Sequence, residues 1–226
     1  MSKININKDP REESKLIAAG IRKQLNSRRI LAVNLISSPG SGKTTLLELV
    51  LPELSKELRL AVIEADCATS NDADRLKAAG LTVEMVANAI TGCHISVAAA
   101  KKAFDALDID NLDLIVIENV GNLVCPSGVD IGEDYKIAMI SVAEGEDKPL
   151  KYPLLFQKSS LALINKVDVA DALDADTDLL ETNLRATNPG IEVIRISART
   201  GHNVDFFVNW IKDKIYTKQN SHETSR

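Results

Sequence analysis

The fold of this chain follows from one glycine-rich loop, Ser37-Ser38-Pro39-Gly40-Ser41-Gly42-Lys43-Thr44-Thr45. An apolar run over residues 30–36 precedes the loop and predicts a buried strand, and apolar residues at helical spacing follow it. Strand, glycine-rich loop and helix in this order are the setting of a P-loop, in which backbone N–H groups and a helix N-terminus bind phosphate. Ser37 stands where the usual pattern has glycine, whereas the other motif positions are in place. We therefore predict a nucleotide-binding P-loop.

The members of this loop have different predicted tasks. Lys43 is expected to reach the β- and γ-phosphates, and the Thr44 hydroxyl is expected to bind Mg²⁺. The other binding residues are expected to surround the phosphates; they are Pro39, Gly40, Ser41, Gly42 and Thr45. A glycine-rich turn that only joins a strand to a helix is the alternative, and the Gly-Lys-Thr-Thr run in this setting argues against it.

Composition indicates a soluble globular protein with one large domain. The chain has 226 residues, of which 45% are hydrophobic and 26% are charged. A net charge of −5 argues against a nucleic-acid partner, and no apolar run is long enough to span a membrane. Residues 1–26 lack the apolar core of a signal peptide, so we expect a cytoplasmic protein. Its three cysteines, Cys67, Cys93 and Cys125, are then expected to be reduced thiols.

Strands and helices alternate along the chain, which predicts an α/β fold: a three-layer P-loop NTPase sandwich with a mainly parallel sheet and a single domain. Residues 1–28 are expected to form an N-terminal helical extension, residues 29–217 the P-loop domain, and residues 218–226 a disordered tail. In the extension, Leu16, Ile17, Ile21 and Leu25 have helical spacing. After the P-loop, predicted strands cover residues 60–65, 81–86, 112–117, 137–142, 161–164 and 191–196, and predicted helices cover residues 95–107 and 204–216.

A second motif predicts that the base is guanine. Asn165-Lys166-Val167-Asp168 follows a predicted strand and matches the N-K-x-D pattern of GTP-binding proteins. Asp168 can accept hydrogen bonds from guanine N1–H and N2–H₂, a donor pair that adenine lacks, while Asn165 bridges to neighbouring loops and the Lys166 stem covers the ring. Ser197-Ala198-Arg199 resembles the loop whose backbone N–H meets guanine O6. An isolated N-K-x-D match would be no more than a capped loop, but in this order the motifs predict GTP and GDP binding.

Two acidic residues, Asp66 and Glu118, follow apolar strands at the edge of the sheet where ligands bind. Either carboxylate can hold Mg²⁺, directly or through water, although helix capping or a loop salt bridge is the alternative role. Glu118-Asn119-Val120-Gly121 resembles the D-x-x-G switch motif, so Gly121 is expected to approach the γ-phosphate. For hydrolysis by in-line attack of water, the predicted catalytic residues are Lys43, Thr44, Asp66, Glu118 and Gly121.

Cys93, His94 and Cys125 form a candidate site for a softer metal. Two thiolates and an imidazole suit Ni²⁺, Zn²⁺ or copper better than Mg²⁺. Cys93 opens a predicted helix, where a lowered pKa would favour the thiolate. The alternative is that these cysteines are small buried hydrophobic residues. If the two segments meet, a loop that responds to the γ-phosphate also carries a metal ligand, which would couple nucleotide state to metal affinity.

Taken together, these residues resemble the HypB family of hydrogenase nickel incorporation GTPases, from about residue 31 to residue 210. Beside the P-loop, the most specific segments are residues 118–126, Glu-Asn-Val-Gly-Asn-Leu-Val-Cys-Pro, and residues 144–153, Glu-Gly-Glu-Asp-Lys-Pro-Leu-Lys-Tyr-Pro. The resemblance implies a GTP-dependent homodimer that binds nickel or zinc, with Cys93, His94 and Cys125 at the metal site. It also implies two partners, a HypA-like zinc/nickel protein and the [NiFe]-hydrogenase large subunit.

The chain departs from this family pattern in three places. It has neither an N-terminal cysteine-rich motif nor a histidine-rich tract, and Thr91-Gly92 directly precedes Cys93, where the family usually has two more residues. On the helix after His94 the chain lacks the extra histidines that some members carry, and Ala98 and Lys102 occupy the next turns. Two other functions stay open from the sequence. One is a related maturation GTPase that serves urease or a cobalamin-dependent mutase. The other is a zinc-binding scaffold whose nucleotide is hardly turned over.

Overall fold

Seven parallel strands form a single sheet at the centre of the molecule. The computed structural model describes residues 9–65, 82–85 and 93–220. Within them, the strands are β1 (Leu31–Ser37), β2 (Leu60–Glu64), β3 (Thr82–Met85), β4 (Leu114–Glu118), β5 (Tyr135–Ser141), β6 (Leu161–Asn165) and β7 (Glu192–Arg195). Their order is β3-β2-β4-β1-β5-β6-β7, and every neighbouring pair is parallel. The predicted α/β fold with a parallel sheet is confirmed.

Helices cover both faces of this sheet. They are α1 (Pro10–Arg28), α2 (Lys43–Leu54), α3 (Val97–Ala106), α4 (Lys148–Lys151), α5 (Pro153–Lys158), α6 (Thr177–Thr187) and α7 (Val204–Asn220). One face packs against α2 and α7. The opposite face packs against α1 and α3 at one end and against α5 and α6 at the other. Side chains along β1 point alternately to the two faces of the sheet. Helices on one face, the sheet, and helices on the other face are the predicted three layers. In the described part of the chain, no helix combines the length and apolar character needed to cross a membrane.

The strand register brings several carboxyl ends to one edge of the sheet. Leu35 of β1 lies opposite Glu118 of β4, and Glu118 lies opposite Glu64 of β2. On the other side of β1, Ser141 of β5 lies opposite Asn165 of β6. The loops that leave β1, β4, β5 and β6 therefore start at the same edge, where ligands bind in folds of this kind.

The N-terminal helix α1 is part of the core. Its buried stripe consists of Ala18, Ile21 and Leu25, and Gly132 lies directly against it. A Cβ at Gly132 would come within 2.7 Å of the Ile21 side chain, so only glycine fits this contact. Leu16, which the sequence placed on the same face as Ile21 and Leu25, is 71% exposed. It lies two residues before Ala18, about 200° around the helix, and so faces away from the sheet.

The C-terminal helix α7 is longer than the sequence predicted. It runs to Asn220, so residues 218–220, which were predicted to belong to a disordered tail, are helical. The reason is an ion pair at the end of the helix, in which Lys218 Nζ lies 2.5 Å from Asp134 Oδ2. Burial lowers the pKa of Lys218, and the contact with Asp134 opposes that shift. Residues 221–226 lie outside the described residues.

Candidate functional site

The P-loop joins β1 to α2 through two glycines in the left-handed region, Gly40 with φ 72° and Gly42 with φ 102°. A Cβ at Gly42 would lie 2.6 Å from Asn165 Nδ2, so this position needs glycine for space as well as for conformation. Lys43 begins α2 and is buried, and its Nζ donates to Ser37 Oγ at 3.1 Å. The serine that replaces the usual motif glycine therefore holds the P-loop lysine in place.

Two oxygen ligands face each other beside the P-loop. Thr44 Oγ1, in the first turn of α2, donates to Glu118 Oε1 at 2.7 Å. Glu118 is the last residue of β4 and is fully buried. A hydroxyl and a carboxylate at this separation are the oxygen ligands that Mg²⁺ prefers, so the donor set fits the ion. Asp66, the other acidic residue predicted to bind Mg²⁺, lies outside the described residues.

The switch loop, residues 119–125, leaves β4 and lies against the P-loop. A Cβ at Gly121 would come within 3.0 Å of the backbone of Pro39, so the predicted switch glycine is in close contact with the phosphate loop. Asn119 is buried, and its Nδ2 donates to Asn34 Oδ1 at 3.1 Å. Asn34 Nδ2 in turn donates to Glu133 Oε1 at 3.2 Å. Sequence reasoning missed this support, although Asn34 is the one polar residue within the apolar run over residues 30–36.

The predicted guanine-binding residues other than Ser197 line one cavity of about 350 Å³, which we call the nucleotide cavity. Its walls include Gly42, Thr45, Asn165, Lys166, Asp168 and Ala198. Asn165 joins the loops around it, because its Nδ2 donates to the Ser41 carbonyl at 2.7 Å and its Oδ1 accepts from the Ala198 N–H at 2.9 Å. The bridging role predicted for Asn165 between neighbouring loops is present in the structure.

Asp168 and Lys166 are also held by neighbours. Asp168 Oδ1 accepts from Ser197 Oγ at 2.6 Å, so the serine of the Ser197-Ala198-Arg199 loop orients the carboxylate expected to read guanine. Lys166 has a left-handed φ of 65°, and its Nζ donates to the Gly40 carbonyl at 2.7 Å. The base loop and the P-loop are therefore connected by two side chains of one motif, Asn165 and Lys166.

Cys93, His94 and Cys125 meet at a second position, which we call the metal corner. One ligand atom from each lies within 4.8 Å of the other two, and Cys93 Sγ is 3.3 Å from His94 Nδ1. All three residues are half-buried. Asn122 connects the two segments, because its Nδ2 donates to the Cys93 carbonyl at 3.2 Å and its Oδ1 accepts from the Val124 N–H at 2.8 Å. The structure thus brings together residues that the sequence could only propose as neighbours.

The sequence suggested that a helix N-terminus lowers the pKa of Cys93, but the structure shows no such effect. Helix α3 begins at Val97 with Ser96 as its N-cap, so Cys93 lies outside the first turn. A hydrogen bond with the neighbouring Cys125 thiol, together with burial, instead raises the pKa of the Cys93 thiol. A bound cation would reverse this effect, because a thiol that coordinates a metal loses its proton. Cys67 lies outside the described residues.

Glu144 is a second residue of the nucleotide end that sequence reasoning missed. It lies in the turn after β5 and accepts hydrogen bonds from the hydroxyls of Ser38 and Ser41. The signal available in the sequence is its place at the start of the segment 144–153, one of the segments that carry the family resemblance.

Comparisons with known proteins agree with this geometry. Residues 31–195 match a family model described as CobW/HypB/UreG, nucleotide-binding domain. Hydrogenase maturation factor HypB of Escherichia coli K12 is 44% identical over 204 residues, which cover 90% of this chain and 70% of that protein. Hydrogenase/urease maturation factor HypB of Helicobacter pylori is 32% identical over 201 residues, covering 87% and 82%. The crystal structure of HypB from Helicobacter pylori in complex with nickel superimposes with a TM-score of 0.84 at 30% identity, covering 95% of this chain and 99% of that one.

Proposed function

Because the chain belongs to the HypB group of the CobW/HypB/UreG nucleotide-binding family, we propose that it is a GTP-hydrolysing metallochaperone. In this proposal it binds nickel or zinc and assists nickel insertion during [NiFe]-hydrogenase maturation. The name of the Escherichia coli relative and the nickel complex of the Helicobacter pylori relative support this direction.

The observation that carries the proposal is that one loop reaches both sites. Glu118, which precedes the switch loop, contacts Thr44 of the P-loop, and Gly121 abuts Pro39. Farther along the same loop, Asn122 binds the Cys93 carbonyl and Cys125 supplies a metal ligand. A shift of this loop when the γ-phosphate binds or leaves would change the separation of the metal ligands. The geometry therefore supports a protein whose metal affinity depends on its nucleotide.

For hydrolysis, the chain supplies charge and orientation. Lys43 neutralises charge on the phosphates, and Gly121 lets its N–H approach the γ-phosphate as water attacks in line and the bond to the β-phosphate oxygen breaks. Thr44 and Glu118, with Asp66, would hold Mg²⁺, which offsets charge on the phosphate oxygens when bound. Asp168 accepts from guanine N1–H and N2–H₂, the Lys166 stem covers the ring, and a backbone N–H of the Ser197-Ala198-Arg199 loop donates to O6, which selects GTP over ATP.

For its cargo, the chain supplies two thiolates and one imidazole. This set suits Ni²⁺ and Zn²⁺, and three protein ligands leave a coordination position through which a metal can be exchanged. A GTP-dependent homodimer can complete the shell with ligands from its other protomer, so that Cys93, His94 and Cys125 form half of a shared site. The proposal names a HypA-like zinc/nickel protein as partner and the [NiFe]-hydrogenase large subunit as recipient.

The experiment that tests this function is a titration of Ni²⁺ and of Zn²⁺ into the purified protein, once with GDP and once with a non-hydrolysable GTP analogue. Affinity and oligomeric state are recorded together, and phosphate release from GTP with Mg²⁺ is measured in parallel. We expect metal affinity that differs between the two nucleotides and that disappears in Cys93→Ala and Cys125→Ala. A metal-to-dimer ratio of two or more would contradict the shared site.

Other results would point to other functions. Tight GTP binding and turnover with no specific metal uptake would leave a GTPase switch without cargo. Metal binding with hardly any GTP turnover would indicate the zinc-binding scaffold. Reconstitution with apo-urease in place of apo-hydrogenase would test the alternative recipient, since the Helicobacter pylori relative is named a hydrogenase/urease maturation factor.

A further inference from the structure

The carboxylate of Glu144, which lies outside the P-loop motif, accepts hydrogen bonds from two serines of the P-loop. Its Oε2 accepts from Ser38 Oγ at 2.5 Å, and its Oε1 accepts from Ser41 Oγ at 3.0 Å. These two serines flank Pro39 and Gly40, so the carboxylate spans the turn that is expected to surround the phosphates. The residues that it joins lie 103 and 106 positions away along the chain.

Glu144 is itself fixed in place. It closes a capping box with Ser141 in the turn after β5, in which the Ser141 N–H donates to Glu144 Oε1 at 2.9 Å. Lys148 Nζ lies 3.5 Å from Glu144 Oε2, and both side chains are mostly buried, at 22% and 15% exposed. The carboxylate therefore has one orientation, set by β5 and by the start of α4, and it transmits that orientation to the two serine hydroxyls.

We propose that Glu144 is a positioning residue of the nucleotide site, which holds the P-loop in its phosphate-binding shape through Ser38 and Ser41. The proposal rests on the GTP-binding function given above. A P-loop binds phosphate with backbone N–H groups whose directions depend on loop conformation, so a loop ordered in advance binds more tightly. The Glu144 side chain orders the loop without touching the nucleotide.

The choice of a carboxylate carries a cost that makes the proposal testable. A negative charge close to bound phosphates opposes binding, and Lys148 offsets part of it. If positioning is the role, the neutral isostere glutamine should replace Glu144, because its amide oxygen can accept from Ser41 Oγ and from the Ser141 N–H. Its amide N–H₂ can donate to Ser38 Oγ. If Glu144 instead acts by its charge, glutamine should fail as badly as alanine.

The test measures the affinity of the full chain for a fluorescent GDP and the kcat and KM of GTP hydrolysis. For Glu144→Ala we expect about a tenfold weaker affinity and a similar rise in KM, the size of effect that one lost charge-assisted contact gives. Glu144→Gln should stay within about threefold of the unchanged protein. Ser38→Ala/Ser41→Ala should weaken affinity at least as much as Glu144→Ala, because Ser41 Oγ also lies 2.7 Å from the Ser38 carbonyl as a donor. Adding Glu144→Ala to that pair should cause no further loss.

Glu146 provides the matched control in the same segment. Its Oε1 accepts from the Asp176 N–H at 2.9 Å, so it binds the start of α6 and not the P-loop. Glu146→Ala should therefore leave nucleotide affinity unchanged. Equal losses in Glu144→Ala and Glu146→Ala would overturn the proposal in favour of general loosening of the segment, as would normal affinity in Glu144→Ala or failure of Glu144→Gln. If the unchanged protein bound no guanine nucleotide at all, the function itself would fail, which is a separate result.

Discussion

The nucleotide cavity and the metal corner share one loop but are held together in different ways. Around the cavity, Asn165 connects the P-loop to the Ala198 loop, and Ser197 orients Asp168. At the metal corner, the Cys93 segment is joined to the switch loop by a hydrogen bond from Asn122 to the Cys93 carbonyl. The cavity is thus ordered by hydrogen bonds among its own loops, whereas the corner is formed by two segments that meet.

This difference indicates how far each site depends on a bound ligand to become ordered. The cavity groups satisfy one another by hydrogen bonds, so the protein itself shapes this site. At the corner, Cys125 and burial raise the pKa of Cys93, so two thiolates side by side are unfavourable until a cation binds between them. If the corner binds a metal as proposed, it depends on that metal, and on the position of the switch loop, more than the cavity depends on its nucleotide.

The largest effect is expected from a substitution that disrupts nucleotide binding alone. Lys43→Ala should abolish GTP hydrolysis and weaken nucleotide affinity by about 100-fold or more, because the buried ammonium group is the main positive charge offered to the phosphates. Phosphate release and fluorescent-GDP binding measure this. Lys101→Ala, on the exposed side of α3 next to Asp105, is the control and should behave normally. Normal turnover in Lys43→Ala would rule out the P-loop assignment.

The next largest effect is expected from a substitution that disrupts the metal corner alone. Cys125→Ala should lower Ni²⁺ and Zn²⁺ affinity by about 100-fold or more, since losing a ligand costs more than losing a group that only orients one. Isothermal titration without nucleotide measures it, and GDP affinity should not change. Val124→Ala, a change at the exposed neighbour, should keep the metal. Unchanged metal binding in Cys125→Ala would return this cysteine to an ordinary structural role.

A smaller change separates base recognition from phosphate binding within the cavity. Asp168→Asn should weaken GTP by about 10- to 100-fold, because one acceptor of two guanine donors becomes a donor. Xanthosine triphosphate presents an acceptor where guanine has N2–H₂, so it should bind the variant better than GTP does. Competition binding with both nucleotides gives the ratio. If GTP affinity is unchanged, Asp168 does not read the base.

The smallest effect tests the connection between the two regions. Asn122→Ala keeps every metal ligand but removes the hydrogen bond to the Cys93 carbonyl, so metal affinity should fall by about tenfold while GDP affinity is kept. The difference in metal affinity between GDP and the GTP analogue should also shrink. A variant that loses affinity equally with both nucleotides would show that Asn122 orients Cys93 without passing on the nucleotide state.

Local patterns in the sequence were enough for the described strands and for helices α1, α2, α3 and α7, but they did not predict helices α4, α5 and α6. Apolar runs predicted the strands within two residues of their observed ends, and the P-loop motif predicted the order of β1, loop and α2. Helix ends were less certain, because they depend on partners elsewhere in the chain. The pairing of Lys218 with Asp134 extends α7, and the burial of Ala18 rather than Leu16 sets the face of α1.

The site residues that belong to sequence motifs could be predicted. The P-loop, the Asn165–Asp168 segment and the three metal-corner residues were all named from the sequence. The structure places Gly42 and Thr45 around one cavity with the Asn165–Asp168 segment, and it places the three metal-corner residues in a cluster of their own. The supporting residues Glu144 and Asn34 were not predicted. Their partners are 85 to 106 positions away, and only the strand register brings them close.

The central place of β1 has a consequence for how the chain folds during synthesis. Leu31 pairs with Leu114 of β4, and Val33 pairs with Tyr135 of β5, so both neighbours of this strand are translated long after it. Until β5 has left the ribosome, β1 has at least one open edge, and long-range pairing of this kind is slow. The phosphate loop at the end of β1 is among the first parts of the domain to be made and among the last to reach its final shape.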